Sequence, residues 1–254
     1  MKPPNFEYHA PSDLESAVRF LGALEDAKVL AGGQSLVPLL NFRLARPAHL
    51  VDINGVAGLD AIAAREGGVA IGATVRQAQA ERDARIQTGC PLLALALGHV
   101  AHPVIRNRGT VCGSLAHADP AAELPAVLLA LGGHVTVCSA ARGERRIAAQ
   151  DLCVGPFETS LEPDELLVEA FFPAGAADVA LVEESRRHGD YAMAGVARAG
   201  DRLALFGVAP TPVLADPSDP ARGLRPSSDL EASAEFKLHL VEVLTRRATQ
   251  PPAT

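Results

Sequence analysis

Apolar positions repeat with two periods along this chain, and they divide it into three regions. Ser12 precedes Glu15 by three residues, which predicts a capping box at the start of a helix. Leu14, Val18, Leu21 and Leu24 then fall on one helical face. Lys28 to Leu30 predicts a short strand that runs into Gly32-Gly33, and Leu36 to Leu44 a short helix. His49 to Ile53 predicts the next strand, closed by the turn signal Asn54-Gly55. Residues 1–57 therefore read as a small βαβ-like unit.

Residues 58–173 read as a second unit. Val69 to Ile71 predicts a strand, Val75 to Arg85 a helix, and Pro91 to His99 an apolar helix with proline at its start. The stretch RNRGTVCGSLAHADP, Arg106 to Pro120, is rich in glycine and polar residues and reads as a loop. Ala122 to Leu131 predicts a helix ended by Gly132-Gly133. Val135 to Cys138 and Arg146 to Ala148 predict a hairpin across Ala141 to Glu144, and Leu166 to Phe172 a strand closed by Pro173. In the third unit, 178–254, segments 179–186, 191–198 and 202–208 read as strands, 210–229 as a loop, and Ala232 to Arg247 as a helix with basic residues in its last turn. The sum is an α+β architecture of three small units in series, without internal repeats.

Composition narrows the function classes. The chain has 254 residues, 48% of them hydrophobic and 21% charged, which is ordinary for a globular protein with well-formed cores. A net charge of −7 does not favour phosphate backbones or anionic membranes. With no Trp and two Tyr, stacking platforms for single strands are not expected. The N-terminus has no apolar secretory core, and no apolar run is long enough to span a bilayer, so a cytoplasmic location is expected. Cys90, Cys112, Cys138 and Cys153 contain no C-x-x-C and no cluster-binding run, and read as reduced thiols. The eight histidines make no metal-ligand spacing, so no metal site is expected.

Two segments offer phosphate chemistry. Ala31 to Ser35, AGGQS, joins a strand to a helix; its glycines allow a sharp turn and close approach to a ligand, and the helix behind it presents free N–H groups. An ordinary glycine turn would look the same. Gly109 to Pro120, GTVCGSLAHADP, offers small residues, the hydroxyls of Thr110 and Ser114, and carboxylates at Asp119 and Glu123; a polar surface loop would look the same. There is no P-loop, no G-x-G-x-x-G after a strand and no G-x-S-x-G.

These two segments and three others resemble the FAD-binding medium subunits of the molybdenum hydroxylases, of the carbon monoxide dehydrogenase and xanthine dehydrogenase type. Leu30 to Gly55 looks like the first flavin motif of that family and the strand after it, and His102 to Leu131 like its second. Phe157 to Pro173, His188 to Ala197 and Ala232 to Ala248 are similar to three further blocks, in the family's order. The resemblance implies a two-lobed FAD-binding domain, PCMH/vanillyl-alcohol-oxidase-like, followed by a small antiparallel sheet with a helix. It implies that the N–H groups of Ala31, Gly32, Gly33, Gln34 and Ser35 hold the FAD pyrophosphate and that Leu36 also binds the cofactor. Thr110, Val111, Cys112, Gly113 and Ser114 would form the other side of the cofactor channel. Asp119 and Glu123 would lie near the adenosine end or the loop that shapes it, Leu167 would line the cofactor, and Asp190 and Tyr191 would lie at the isoalloxazine face. No catalytic acid or base is implied, and His102 and His117 are assigned no role.

The resemblance further implies an FAD-dependent oxidoreductase subunit that passes electrons from iron–sulfur clusters through FAD to NAD, a quinone or oxygen. Its partners would be a small iron–sulfur subunit and a large molybdopterin subunit, where the substrate is chosen. Two departures stand out. Cys112-Gly113 occupies the place of the family's Gly-Gly, which raises the question of a covalent flavin link. The third unit is short between Leu214 and Ser227, which bears on partner docking and keeps a stand-alone flavoenzyme, or a binding protein that lost flavin, as alternatives.

Overall fold

The computed structural model describes residues 2–174 and 178–250. The first sheet is parallel and three-stranded, in the order β1 (Glu7–His9), β3 (His49–Asp52), β2 (Ala27–Leu30). Between them lie α1 (Leu14–Ala23) and α2 (Leu36–Asn41). The helix α1 buries Ala17, Val18 and Leu21, the face that periodicity marks. Its cap is Asp13, whose carboxylate accepts from the Ser16 N–H at 2.7 Å, so the Ser12–Glu15 box is not formed. A carboxylate at the cap serves the same free donors with a full charge.

The second sheet is antiparallel, in the order β4 (Ile62–Arg65), β5 (Gly68–Gly72), β10 (Leu166–Pro173), β6 (His134–Ser139), β7 (Gly143–Ala148). The expected single helix over Val75 to Arg85 is two helices, α3 (Gln77–Arg82) and α4 (Ala84–Gly89). Asp83 breaks them, ending one and capping the other through the Arg85 N–H at 2.9 Å. Next come α5 (Pro91–His99), α6 (Pro103–Arg106), α7 (Val111–His117) and α8 (Glu123–Leu131). The stretch expected to be a loop thus holds a helix, with Thr110 as its cap. All of α8 but its last residue is buried, as expected for a helix that is apolar all round. A short helix α9 (Ala149–Leu152) and the small pair β8 (Cys153–Gly155) and β9 (Glu158–Thr159) precede β10.

The third sheet is an antiparallel meander of β11 (Val179–Glu184), β12 (Ala194–Ala199), β13 (Arg202–Phe206) and β14 (Val213–Ala215). Helix α10 (Ala234–Thr249) covers one face, burying Leu240, Val241 and Leu244 against Val196, Leu203 and Leu205. Arg198 fastens helix to sheet, donating to Ala248 O at 2.6 Å and pairing with Asp178 at 2.5 Å. On the other face, Ala197, Ala204 and Phe206 join the main core together with α8. No helix among the described residues is long and apolar enough to cross a membrane.

Candidate functional site

The two glycine segments meet. A Cβ on Gly32 would lie 2.4 Å from Arg108 O and 2.8 Å from Gly109 Cα, so the two backbones touch where only glycine fits. Gly33 turns the chain with φ +72°, and its carbonyl accepts from the Val37 N–H at 2.9 Å as α2 begins. Among the described residues, the N–H groups of Gly32, Gly33, Gln34, Ser35 and Leu36 donate to no protein acceptor. Backbone donors of this kind are nearly always paired when sheltered. Five of them in one loop, half-buried, make a cradle for an anion.

A guanidinium clamps the seam. Arg76 donates to Arg108 O at 2.6 Å and to Asn54 Oδ1 at 2.6 Å, and Asn54 Nδ2 donates to Ala31 O at 2.9 Å. Both loops are thereby tied to one side chain. Burial, then the neighbouring charge of Arg108, lowers the Arg76 pKa, yet a guanidinium stays protonated and adds positive charge beside the cradle. Gln77 packs behind the second loop: its N–H donates to Gly109 O at 2.8 Å, and a Cβ on Gly109 would fall 2.6 Å from Gln77 Oε1.

On α7, Thr110 Oγ1 accepts from the Gly113 N–H at 3.0 Å, while Ser114 stays partly open. Val111 and Cys112 point into the core. The Cys112 thiol lies 3.4 Å from Ile71 O, and burial, reinforced by Glu169, pushes its pKa far up. The side chain in place of the family's glycine is therefore a protonated core thiol, directed away from the seam. Leu167 is likewise packed in the core, on β10.

Asp119 and Glu123 lie between the seam and the third unit. Asp119 is buried and accepts from the Ala121 N–H at 2.9 Å, which sets the turn into α8. Glu123 is 6% exposed. Burial pushes its pKa up to about 7; Glu183 and Asp119 act in the same direction, and its own N–H and His99 oppose it. His99 pairs with Glu183 at 3.1 Å. Tyr191 is 60% exposed as a whole residue, and partial burial, with the Asp119 carboxylate nearby, pushes its pKa up to about 12. Asp190 sits in the same exposed loop, with its N–H on Arg187 O at 3.1 Å. This loop is seated on the second unit, since a Cβ on Gly189 would fall 2.5 Å from the His102 ring.

The structure thus brings Ala31–Leu36 together with Gly109 and the start of α7, and it brings Asp119, Glu123 and Tyr191 together beyond them. Sequence reasoning missed Arg76, Asn54 and Gln77, which come from positions 22 to 33 residues away from their partners. Free N–H groups, glycines that a Cβ would displace and a guanidinium clamp fit the pyrophosphate of a dinucleotide.

The comparisons agree with this chemistry. Residues 4–175 match the family described as FAD binding domain in molybdopterin dehydrogenase. The chain is 38% identical to the nicotine 6-hydroxylase medium subunit of Paenarthrobacter nicotinovorans, over 97% of each chain. It is 51% identical to subunit alpha of the 6-hydroxypseudooxynicotine dehydrogenase complex of the same organism, over 78% of this chain and 67% of that one. Carbon monoxide dehydrogenase from Hydrogenophaga pseudoflava contains a chain that superposes with a TM-score of 0.91 at 35% identity, covering 97% of this chain and 96% of that one. The two-lobed flavin fold with an antiparallel sheet and helix after it is therefore that of the carbon monoxide dehydrogenase medium chain. The chain belongs to the FAD-binding medium subunits of the molybdenum hydroxylases, and its cofactor is FAD.

Proposed function

We propose that this chain is the electron-relay subunit of a cytoplasmic molybdenum hydroxylase, working with a small iron–sulfur subunit and a large molybdopterin subunit. When bound, FAD supplies the exchange between single electrons from the clusters and an external acceptor. The chain's own residues hold and shelter the cofactor. The observation that carries the reading is the seam at Gly32 and Gly109, with its unpartnered N–H groups and the Arg76 clamp.

In this reading the N–H groups of Gly32 to Leu36 bind the pyrophosphate, Thr110 to Ser114 wall the other side, and Tyr191 covers the ring system with Asp190 beside it. Asp119 and Glu123 shape the loop between seam and third unit. Residues 1–57 and 58–173 are the two flavin lobes, and 178–254 the unit that closes over them. Among the described residues all four cysteines are free and no three of them converge.

The test is isolation of the native complex through a tag on this chain, followed by flavin, iron and molybdenum analysis. Iron and molybdenum in fixed ratio to FAD are expected. A complex with flavin but neither metal would replace the relay with a stand-alone flavoenzyme.

A further inference from the structure

The first sheet carries a second group of ligating side chains, at the end opposite the flavin loop. The strands run parallel, so the glycine loop follows Leu30 at one end, whereas Glu7 and His49 are in register at the other. A four-residue strand puts about 10 Å between the two ends. Glu7 and His9 are two apart on β1 and share a face. His49 stands on that face of β3, directly beside Glu7. His9 Nε2 lies 3.2 Å from His49 Nδ1, and Glu7 Oε2 lies 3.5 Å from His49 Nδ1 and 4.0 Å from His9 Nε2.

We infer that Glu7, His9 and His49 form a binding site for a divalent transition-metal ion of the zinc kind. Zinc bonds nitrogen and carboxylate oxygen at about 2.0–2.2 Å, which sets the edges of a tetrahedron at about 3.3–3.6 Å. Two of the three separations already match within about 0.1 Å. The third closes by about half an ångström when Glu7 rotates, and its side chain is 74% exposed and free to do so. The imidazoles are held in place: each is under a fifth exposed, and the His9 ring packs on Phe20 of α1 with centroids 4.9 Å apart. Two imidazoles and one carboxylate suit zinc, nickel or cobalt and not magnesium or calcium, which take oxygen. Three protein ligands leave a fourth position for water. The ion would fasten β1, a three-residue edge strand, to the centre of the lobe that carries the pyrophosphate loop. The ion would act as a clip across a separation of 40 residues.

The test uses the full chain, freed of any polyhistidine tag and loaded with FAD. Zinc chloride is titrated by calorimetry and its effect followed by thermal unfolding; cobalt chloride reports geometry through its visible bands. The expected result is one ion per chain, a raised unfolding temperature and cobalt bands of tetrahedral type. Glu7→Gln, an exposed change that leaves the fold alone, should weaken zinc by about tenfold or more. The double variant His9→Gln, His49→Gln should abolish stoichiometric binding while the flavin spectrum stays that of the wild type. No uptake at micromolar zinc would overturn the inference, as would uptake that survives in the double variant.

Discussion

Replacing Gly32 with alanine adds one methyl group at the seam between the two glycine loops. The new carbon would start 2.4 Å from Arg108 O and 2.8 Å from Gly109 Cα, and both are backbone atoms that cannot rotate away. Ordinary contact needs about 3.4 Å, so the loops must part by about 1 Å. Overpacking of this kind costs about 1–3 kcal/mol, and the same displacement moves the N–H groups relative to the phosphates they would hold. A loss of this size in the bound state raises the FAD dissociation constant by about 10- to 100-fold. Gly22→Ala is the matched control. It adds the same methyl on α1, where nothing lies within 4 Å, and alanine in a helix is favoured over glycine by about 1 kcal/mol. Titration of flavin-free protein with FAD, read by fluorescence quenching, gives both constants. The reasoning fails if Gly32→Ala binds FAD as tightly as the wild type, or if Gly22→Ala weakens it equally.

Arg76→Ala removes the clamp from Arg108 O and Asn54 and should raise the FAD dissociation constant by about tenfold, with unfolding in the absence of FAD changed far less. Glu123 supplies a pH test. Its folded pKa of about 7 lies above the ordinary 4.5, so the fold favours the protonated acid: this contribution is complete below about pH 4.5 and is lost as pH rises through 7. Glu123→Gln should therefore stabilise the protein relative to wild type at pH 8, by up to about 3 kcal/mol, with little advantage at pH 5, as unfolding temperatures across that range will register. An advantage independent of pH would contradict the assignment. Cys112 is a core thiol turned from the seam, so acid precipitation should release all the flavin into the supernatant; yellow colour in the pellet would contradict that orientation.

The elements that were legible in the sequence are those whose signal is local. A strand running into Gly32-Gly33 announces the first loop, and the apolar run of Glu123–Leu131 announces its central helix. The second loop carries a weaker local signal. Val111 to His117 is built of small residues with Gly113 in its middle, so its helical propensity is poor, and the signs were the Thr110 cap and the pair Val111 and Leu115. The strands β1, β4 and β14 have three or four residues, too few for a period to emerge, and are fixed by their neighbours in the sheets. The site itself was legible as two separate segments, not as one place. Their contact depends on Arg76 and Asn54 reaching across the fold, and on backbone approach at Gly32, for which one chain offers no pattern. The resemblance sets Cys112 where the family has a glycine against the cofactor, but its place on the helix turns the side chain to the core instead.

The central claim, that the seam grips the pyrophosphate, is tested most directly by comparing FAD with riboflavin, which has the same ring system and no phosphate. Flavin-free wild type and Gly32→Ala are titrated with both. Wild type should bind FAD far more tightly than riboflavin, and the substitution should erase most of that advantage while riboflavin binding stays as it was. Equal affinity for the two flavins in the wild type, or equal weakening of both by Gly32→Ala, would show that the loops hold something other than the pyrophosphate.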